Sequence, residues 1–311
     1  MNDSPNIQET RRLVLNGLMR RYKERVPDVN KIITAMCDAT LIGSPSDIIN
    51  DHIAFRTMGV DHLGIQSLEK IFLHLGYTRQ DPYRFAKKKL DAYWYAPPDD
   101  QLPRIFISEL RVSDLSQQAQ SIINAYTNEV PSDPVLDLDL DDGAAIDLFL
   151  HRSLWRRPTW ADYQTLQKES EYAAWVIYNR YYLNHFTITI HALPDGYNTI
   201  AQFNQFLETH QIELNDANGK IKTSKDHLLI QSSTVAEMVD AEFEGDHGMA
   251  ETHRIAGSYV EFAERKPLKT FQQGDPQSLS RDQRRDGFDA GNADGIFEST
   301  YTSQTESEET P

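Results

Sequence analysis

The chain has 311 residues, 39% of them hydrophobic, enough to bury one large core or two modest ones. With 31 Lys+Arg against 47 Asp+Glu its formal charge is −16, which repels a phosphate backbone or an anionic bilayer and argues against nucleic acid or a membrane surface as partner. A lone cysteine, Cys37, excludes an internal disulfide and a cysteine-rich zinc site, fits a reducing compartment, and leaves any metal to His and carboxylate donors.

From the N-terminus, Leu13, Leu15, Leu18 and Met19, then Ile32, Ile33 and Met36, recur at three- and four-residue spacing and predict packing helices within residues 1–50. The start MNDSPNIQET lacks a basic region followed by an apolar run, and no run of about 18 apolar residues occurs, so neither a leader nor a span is expected and the cytoplasm is the expected location. At Asp51 the pattern changes. DHIAFRT alternates as a strand, LGIQSLEKIFLHLGY reads as a helix, and RFAKKKLDAYWYAPP and PRIFISELRV read as strands, giving a first module over 51–112. Residues 113–183 read as a largely helical insertion covering the sheets, with SQQAQSIINAY and YQTLQKESEYAAWVIYNRYYL separated by the acidic loop DLDLDDG. Its basic cluster, Arg152, Arg156 and Arg157, reads as solvated surface. A second module over 184–273 repeats the order of the first: NHFTITIHAL as strand, TIAQFNQFLETHQI as helix, HLLIQSST and GSYVEFAER as strands. Residues 274–311 form a polar tail whose final dozen residues are expected to be disordered. The fold class is therefore α+β, with two βαβββ-type modules, N-terminal helices and a helical insertion; the oligomeric state is left open.

Each module opens on a polar residue followed by histidine, Asp51-His52 and Asn184-His185, so His52 and His185 hold equivalent positions. Strand alternation puts His52 and Arg56 on one face, His185, Thr187 and Thr189 on another, and Tyr259, Glu261 and Arg265 on a third, three polar faces that can line one cavity. Two imidazoles and a carboxylate with open positions suit ferrous iron, although zinc, manganese and nickel accept the same set. Glu264 and Glu109 compete with Glu261 for the carboxylate role. His191 shares the His185 face but lies roughly 20 Å further along an extended strand, too far to join the same ion. Arg56 lies about 13 Å of backbone from His52, within reach of the far carboxylate of a bound acid, where a guanidinium can clamp it bidentately; a salt bridge at the barrel mouth is the plainer alternative. Gln231 and Ser233, within QSST, are candidate substrate or supporting contacts.

Together DHIAFRT, NHFTITIH, QSST and YVEFAER, spread over residues 51–265, resemble the 2-oxoadipate dioxygenase/decarboxylases, whose fold is a variant of the vicinal oxygen chelate barrel. The resemblance implies an Fe(II) centre held by His52, His185 and Glu261, a substrate contact at Arg56, and conversion of 2-oxoadipate and O2 to 2-hydroxyglutarate and CO2. Two other readings stay open: a glyoxalase-type isomerase, lyase or hydrolase using its metal as a Lewis acid, and a non-catalytic protein that binds a metal or a small acid.

Overall fold

The computed structural model describes residues 5–245, 248–273 and 278–305. Two helices lead, α1 (Pro5–Arg25) and α2 (Pro27–Asp38). Pro27 separates them, because a proline cannot continue a helix but suits the first turn of the next. The three- and four-residue spacing read in the sequence becomes the buried face of α2, formed by Val29, Ile32, Ile33, Ala35 and Met36.

Half-buried Asp28, in the first turn of α2, has its carboxyl pushed up to about 6, by desolvation first and then by repulsion from Glu237. A carboxyl raised on folding stabilises the protein fully only below its unfolded value, and that contribution disappears as pH rises through 6. Asp28→Asn should therefore increase stability at pH 8, by no more than about 1–2 kcal/mol after screening and seen as a higher melting temperature, and leave it unchanged at pH 3.

The first module follows as β1 (Asn50–Gly59), α3 (Ile65–His74), β2 (Thr78–Phe85), β3 (Leu90–Ala96) and β4 (Arg104–Arg111). The insertion holds α4 (Gln117–Thr127), α5 (Gly143–His151), α6 (Trp160–Glu169) and α7 (Glu171–Asn179). The run YQTLQKESEYAAWVIYN reads as one helix but breaks at Ser170, whose extended backbone ends α6 while its side chain accepts from Ala173 N–H to cap α7. The second module comprises β5 (His185–Thr189), α8 (Ile200–Thr209), β6 (Lys222–Thr223), β7 (Leu229–Ser233), a hairpin of β8 (Met238–Glu244) and β9 (Ala250–Ala256), and β10 (Tyr259–Arg265). Two short helices close the described chain, α9 (Ala290–Phe297) and α10 (Thr302–Thr305).

Eight strands form one curled sheet in the order β2-β3-β4-β1-β5-β10-β7-β6, and β8-β9 stand apart as a pair. The order is symmetric about the β1–β5 seam. On either side lie a first strand, its parallel neighbour (β4 or β10), then two antiparallel strands. The register matches as well: His52 pairs with Arg104 as His185 pairs with Tyr259. Pro82 sits in edge strand β2 at a register shift, where a missing N–H is tolerated.

Two features depart from the expectations. The β8-β9 hairpin went unread because its residues divide between exposed charges and a few buried positions, Ala241, Phe243 and Ile255. The segment read as a polar tail is packed in its described part: Phe288, Asn292, Ile296, Phe297, Ser299 and Thr300 are all buried. Of the final dozen residues expected to be disordered, 300–305 lie in a turn and α10, while 306–311 fall outside the described residues. Arg156 and Arg157 are exposed and paired with Glu129 and Glu242, as solvated residues would be. Among the described residues no helix is long and apolar enough to cross a membrane.

Candidate metal centre

Because β1 and β5 run antiparallel with Ala54 opposite His185, the two histidines meet across the seam, and the parallel pairing of β5 with β10 sets Glu261 beside Thr187 on the same side. Nε2 of His52 lies 3.3 Å from Nε2 of His185 and 3.5 Å from Oε1 of Glu261, and Nε2 of His185 lies 3.1 Å from Oε2 of Glu261. All three side chains are buried. An ion bound at about 2.0–2.2 Å sets neighbouring donors about 3.0–3.5 Å apart in octahedral or tetrahedral geometry, so this donor set fits a metal ion without rearrangement. Among the described residues this is the one cluster of three such donors.

The competing carboxylates have a different task. Glu109 and Glu264 occupy equivalent positions on β4 and β10; Glu109 Oε2 accepts from Ile65 N–H at 2.8 Å and Glu264 Oε2 from Ile200 N–H at 2.9 Å. Each caps the first turn of its module's helix, α3 or α8, where a negative charge also meets the favourable end of the helix dipole. Gly64 makes the approach possible in the first module: its φ is +79°, and a Cβ there would lie 2.6 Å from Glu109 Oε2. The register also shows why the site has one carboxylate, since the first-module counterpart of Glu261 is Phe106.

The polar residues preceding the histidines orient the rings. Asp51 Oδ1 lies 2.8 Å from His52 Nδ1 and Asn184 Oδ1 lies 3.1 Å from His185 Nδ1, which turns each Nε2 toward the cluster. Asp51 is itself gripped by Arg265, with contacts of 2.6 and 2.8 Å, and flanked by Arg104 at 3.4 Å. Burial opposes its charge, but the two guanidinium groups outweigh burial and hold the carboxyl well below its ordinary value. Burial likewise disfavours a charged His52, yet Glu261 and Asp51 prevail and raise its pKa; burial and the nearby His52 and Arg56 hold that of His185 well below the ordinary value. On Glu261, Oε1 accepts from Gln231 Nε2 at 2.6 Å, and Gln231 Oε1 accepts from Asn292 Nδ2 at 2.8 Å.

Arg56 is fully buried at the far end of β1, ringed by Tyr172, Trp175 and Phe297. It donates to Thr300 Oγ1 at 2.8 Å and to the Phe297 carbonyl at 3.0 Å. Among the described residues no carboxylate pairs with it, so the salt bridge considered from sequence is not what holds it there. Gln231 lines the cavity above the cluster, whereas Ser233 bonds to Ser299 and Asn215 and anchors the C-terminal segment. His191 lies outside the cluster, its Nδ1 accepting from Arg265 N–H; burial and then Arg284 hold its pKa down to about 3.

Sequence reasoning missed the roof of the site. Phe288 packs edge-on against His52 at 4.7 Å, and with Phe106, Ile296 and Phe297 it encloses a largely apolar cavity of about 20 Å³, room for a water or two. The aromatic residues of this segment are diluted by Gly, Asp and Arg, so its composition hides them.

Residues 14–276 match the family described as 2-oxoadipate dioxygenase/decarboxylase. An Arabidopsis thaliana protein named 2-oxoadipate dioxygenase/decarboxylase, chloroplastic, is 39% identical over 306 residues, covering 94% of this chain and 78% of its own. The hydroxyglutarate synthase of Oryza sativa, solved in complex with 2-oxoadipate, superposes with a TM-score of 0.87 at 38% identity over 98% of this chain and 96% of that one. At 22% identity, a Ralstonia eutropha protein whose name refers to the glyoxalase superfamily shares the fold with a TM-score of 0.69, over 88% of this chain and 84% of its own. The curled sheet of two βαβββ modules is thus of the vicinal oxygen chelate kind, and the chain belongs to the 2-oxoadipate dioxygenase/decarboxylase family.

Proposed function

We propose that the chain is an Fe(II)-dependent dioxygenase/decarboxylase that converts 2-oxoadipate and O2 to 2-hydroxyglutarate and CO2. The observation that carries this reading is the buried His52–His185–Glu261 donor set in a chain 39% identical to a relative of that name. When bound, ferrous iron would supply open coordination positions and the electrons that bring dioxygen into reaction with a 2-oxo acid. The carbon balance removes the carboxylate next to the keto group as CO2, and both oxygen atoms enter the product, one in the new carboxylate and one in the hydroxyl.

This chain's residues have four tasks in that reaction. His52, His185 and Glu261 hold the ion, with Asp51, Asn184 and Gln231 fixing their orientation. Arg56 receives the distal carboxylate of the acid, the bidentate role that a buried guanidinium performs best. Gln231, at the cavity wall, contacts the acid directly, and Ser233 supports that side through Ser299. Phe106, Phe288 and Phe297 keep bulk water from the reacting atoms. A six-carbon acid does not fit about 20 Å³, so its binding moves the segment carrying Phe288 and Phe297. The single cysteine is in keeping with a reducing compartment, for which we propose the cytoplasm.

Oxygen uptake by anaerobically purified, Fe(II)-loaded protein tests the reading. Uptake, CO2 and 2-hydroxyglutarate in equal amounts are expected with 2-oxoadipate; no uptake across a series of 2-oxo acids with iron bound would favour Lewis-acid chemistry of the glyoxalase type instead. Arg56→Ala should keep its iron and lose at least about a hundredfold in kcat/KM, the cost of a lost charge-assisted hydrogen-bond pair. Unchanged kinetics would remove Arg56 from the site.

A further inference from the structure

We propose that Tyr259 is a specificity-determining residue whose hydroxyl, together with the Nε–H of Arg56, receives the distal carboxylate of a dicarboxylic 2-oxo acid. The inference rests on the proposed reaction and adds a residue and a discrimination to it. Tyr259 is fully buried, and its ring lines the same cavity as His52, His185 and Glu261, tilted against His185 with centroids 4.8 Å apart. Its hydroxyl makes no well-formed hydrogen bond among the described residues, and the one group close enough to bias it by hydrogen bonding is the Arg56 guanidinium, a donor that leaves the phenol's own proton without an acceptor. A buried phenol left unpaired costs about 1–3 kcal/mol, so such a group in a cavity wall marks a place for a ligand acceptor.

Arg56 points to what that acceptor is. Its guanidinium has no carboxylate partner among the described residues, its Nε has no partner at all there, and its bonds go to a neutral hydroxyl and a carbonyl. Arg56 and Tyr259 both border Phe297, the guanidinium 5.6 Å from its ring centroid and the tyrosine in the cavity it walls, which brings a cation and a neutral donor to one side of that cavity. An anionic acceptor satisfies both orphaned donors and neutralises the buried cation; a neutral alkyl end satisfies neither. The donors also differ in anchorage from the roof. Tyr259 belongs to β10, paired on both sides by β5 and β7, with its carbonyl accepting from the Tyr22 hydroxyl, so it holds its position while Phe297 yields.

The test compares 2-oxoadipate with 2-oxohexanoate, the acid of equal length that lacks the second carboxylate. Tyr259→Phe keeps the ring against His185 and deletes only the hydroxyl. Its kcat/KM for 2-oxoadipate should fall about ten- to a hundredfold, chiefly through KM, while that for 2-oxohexanoate stays within about twofold. Because the ratio of the two substrates is internal to one preparation, loss of folded protein cancels from it. As a readout without turnover, adipate should raise the melting temperature of the metal-free parent more than hexanoate does, and Tyr259→Phe should abolish the difference. Equal losses on both substrates, or an unchanged preference, would overturn the assignment of Tyr259. A parent that itself shows no preference for the dicarboxylates would instead count against the proposed substrate.

Discussion

A Glu261→Gln variant should fold as the parent does, bind divalent metal at least about a hundredfold more weakly, and lose nearly all turnover. The substitution preserves shape and leaves one side-chain oxygen, but it removes the only charged donor of the set. Gln231, which now donates to Glu261 Oε1, would meet an amide, and the remaining donors would be two neutral imidazoles held 3.3 Å apart. Metal content after anaerobic loading and dialysis measures the effect directly. Glu109→Gln and Glu264→Gln are the matched controls. They weaken a cap on α3 or α8 by about 1 kcal/mol and should lower the melting temperature while leaving metal content at that of the parent. Full metal occupancy in Glu261→Gln, or loss of metal from either control, would mean that the carboxylate has been misassigned.

That three-way comparison marks where the sequence ceased to decide. His52 and His185 were legible because each follows a polar residue at the start of a repeated strand pattern, and the repeat survives folding as a two-fold register about the β1–β5 seam. Alternation distinguished the faces of β10 and so separated Glu261 from Glu264, but it could not reveal that Glu109 and Glu264 are paired helix caps, because helix starts are not visible from the strands that meet them. Asp51 and Asn184 were noticed as part of the repeat without a role. Their role depends on side-chain rotamers, through which a residue bonds its own neighbour's ring. The roof was hidden for another reason. Burial of Phe288 and Phe297 follows from long-range contacts with His52, Phe85 and Phe106, more than 180 residues away, which local composition cannot report.

Asp51→Asn should be the costliest change outside the donor set. The carboxylate is buried among two guanidinium groups and an imidazole, and its removal as a charge leaves Arg265 and Arg104 inside the protein without their common partner. Breaking a buried pair in this way costs about 3–5 kcal/mol. The remaining Asn oxygen can still accept from His52 Nδ1–H, so the ring keeps its tautomer while losing the negative charge that makes Nε2 a better donor; metal affinity should fall about ten- to a hundredfold. The pH dependence has a defined sign. Asp51 is held well below its ordinary pKa in the folded protein, so its contribution is present above the unfolded value near 3.8 and is lost as pH falls through the lower folded value. The deficit of Asp51→Asn against the parent should thus be constant from pH 5 to 8 and narrow only in stronger acid, as urea melts at several pH values would show. A deficit already shrinking between pH 8 and 5 would mean that Asp51 is not held as an anion by Arg265 and Arg104.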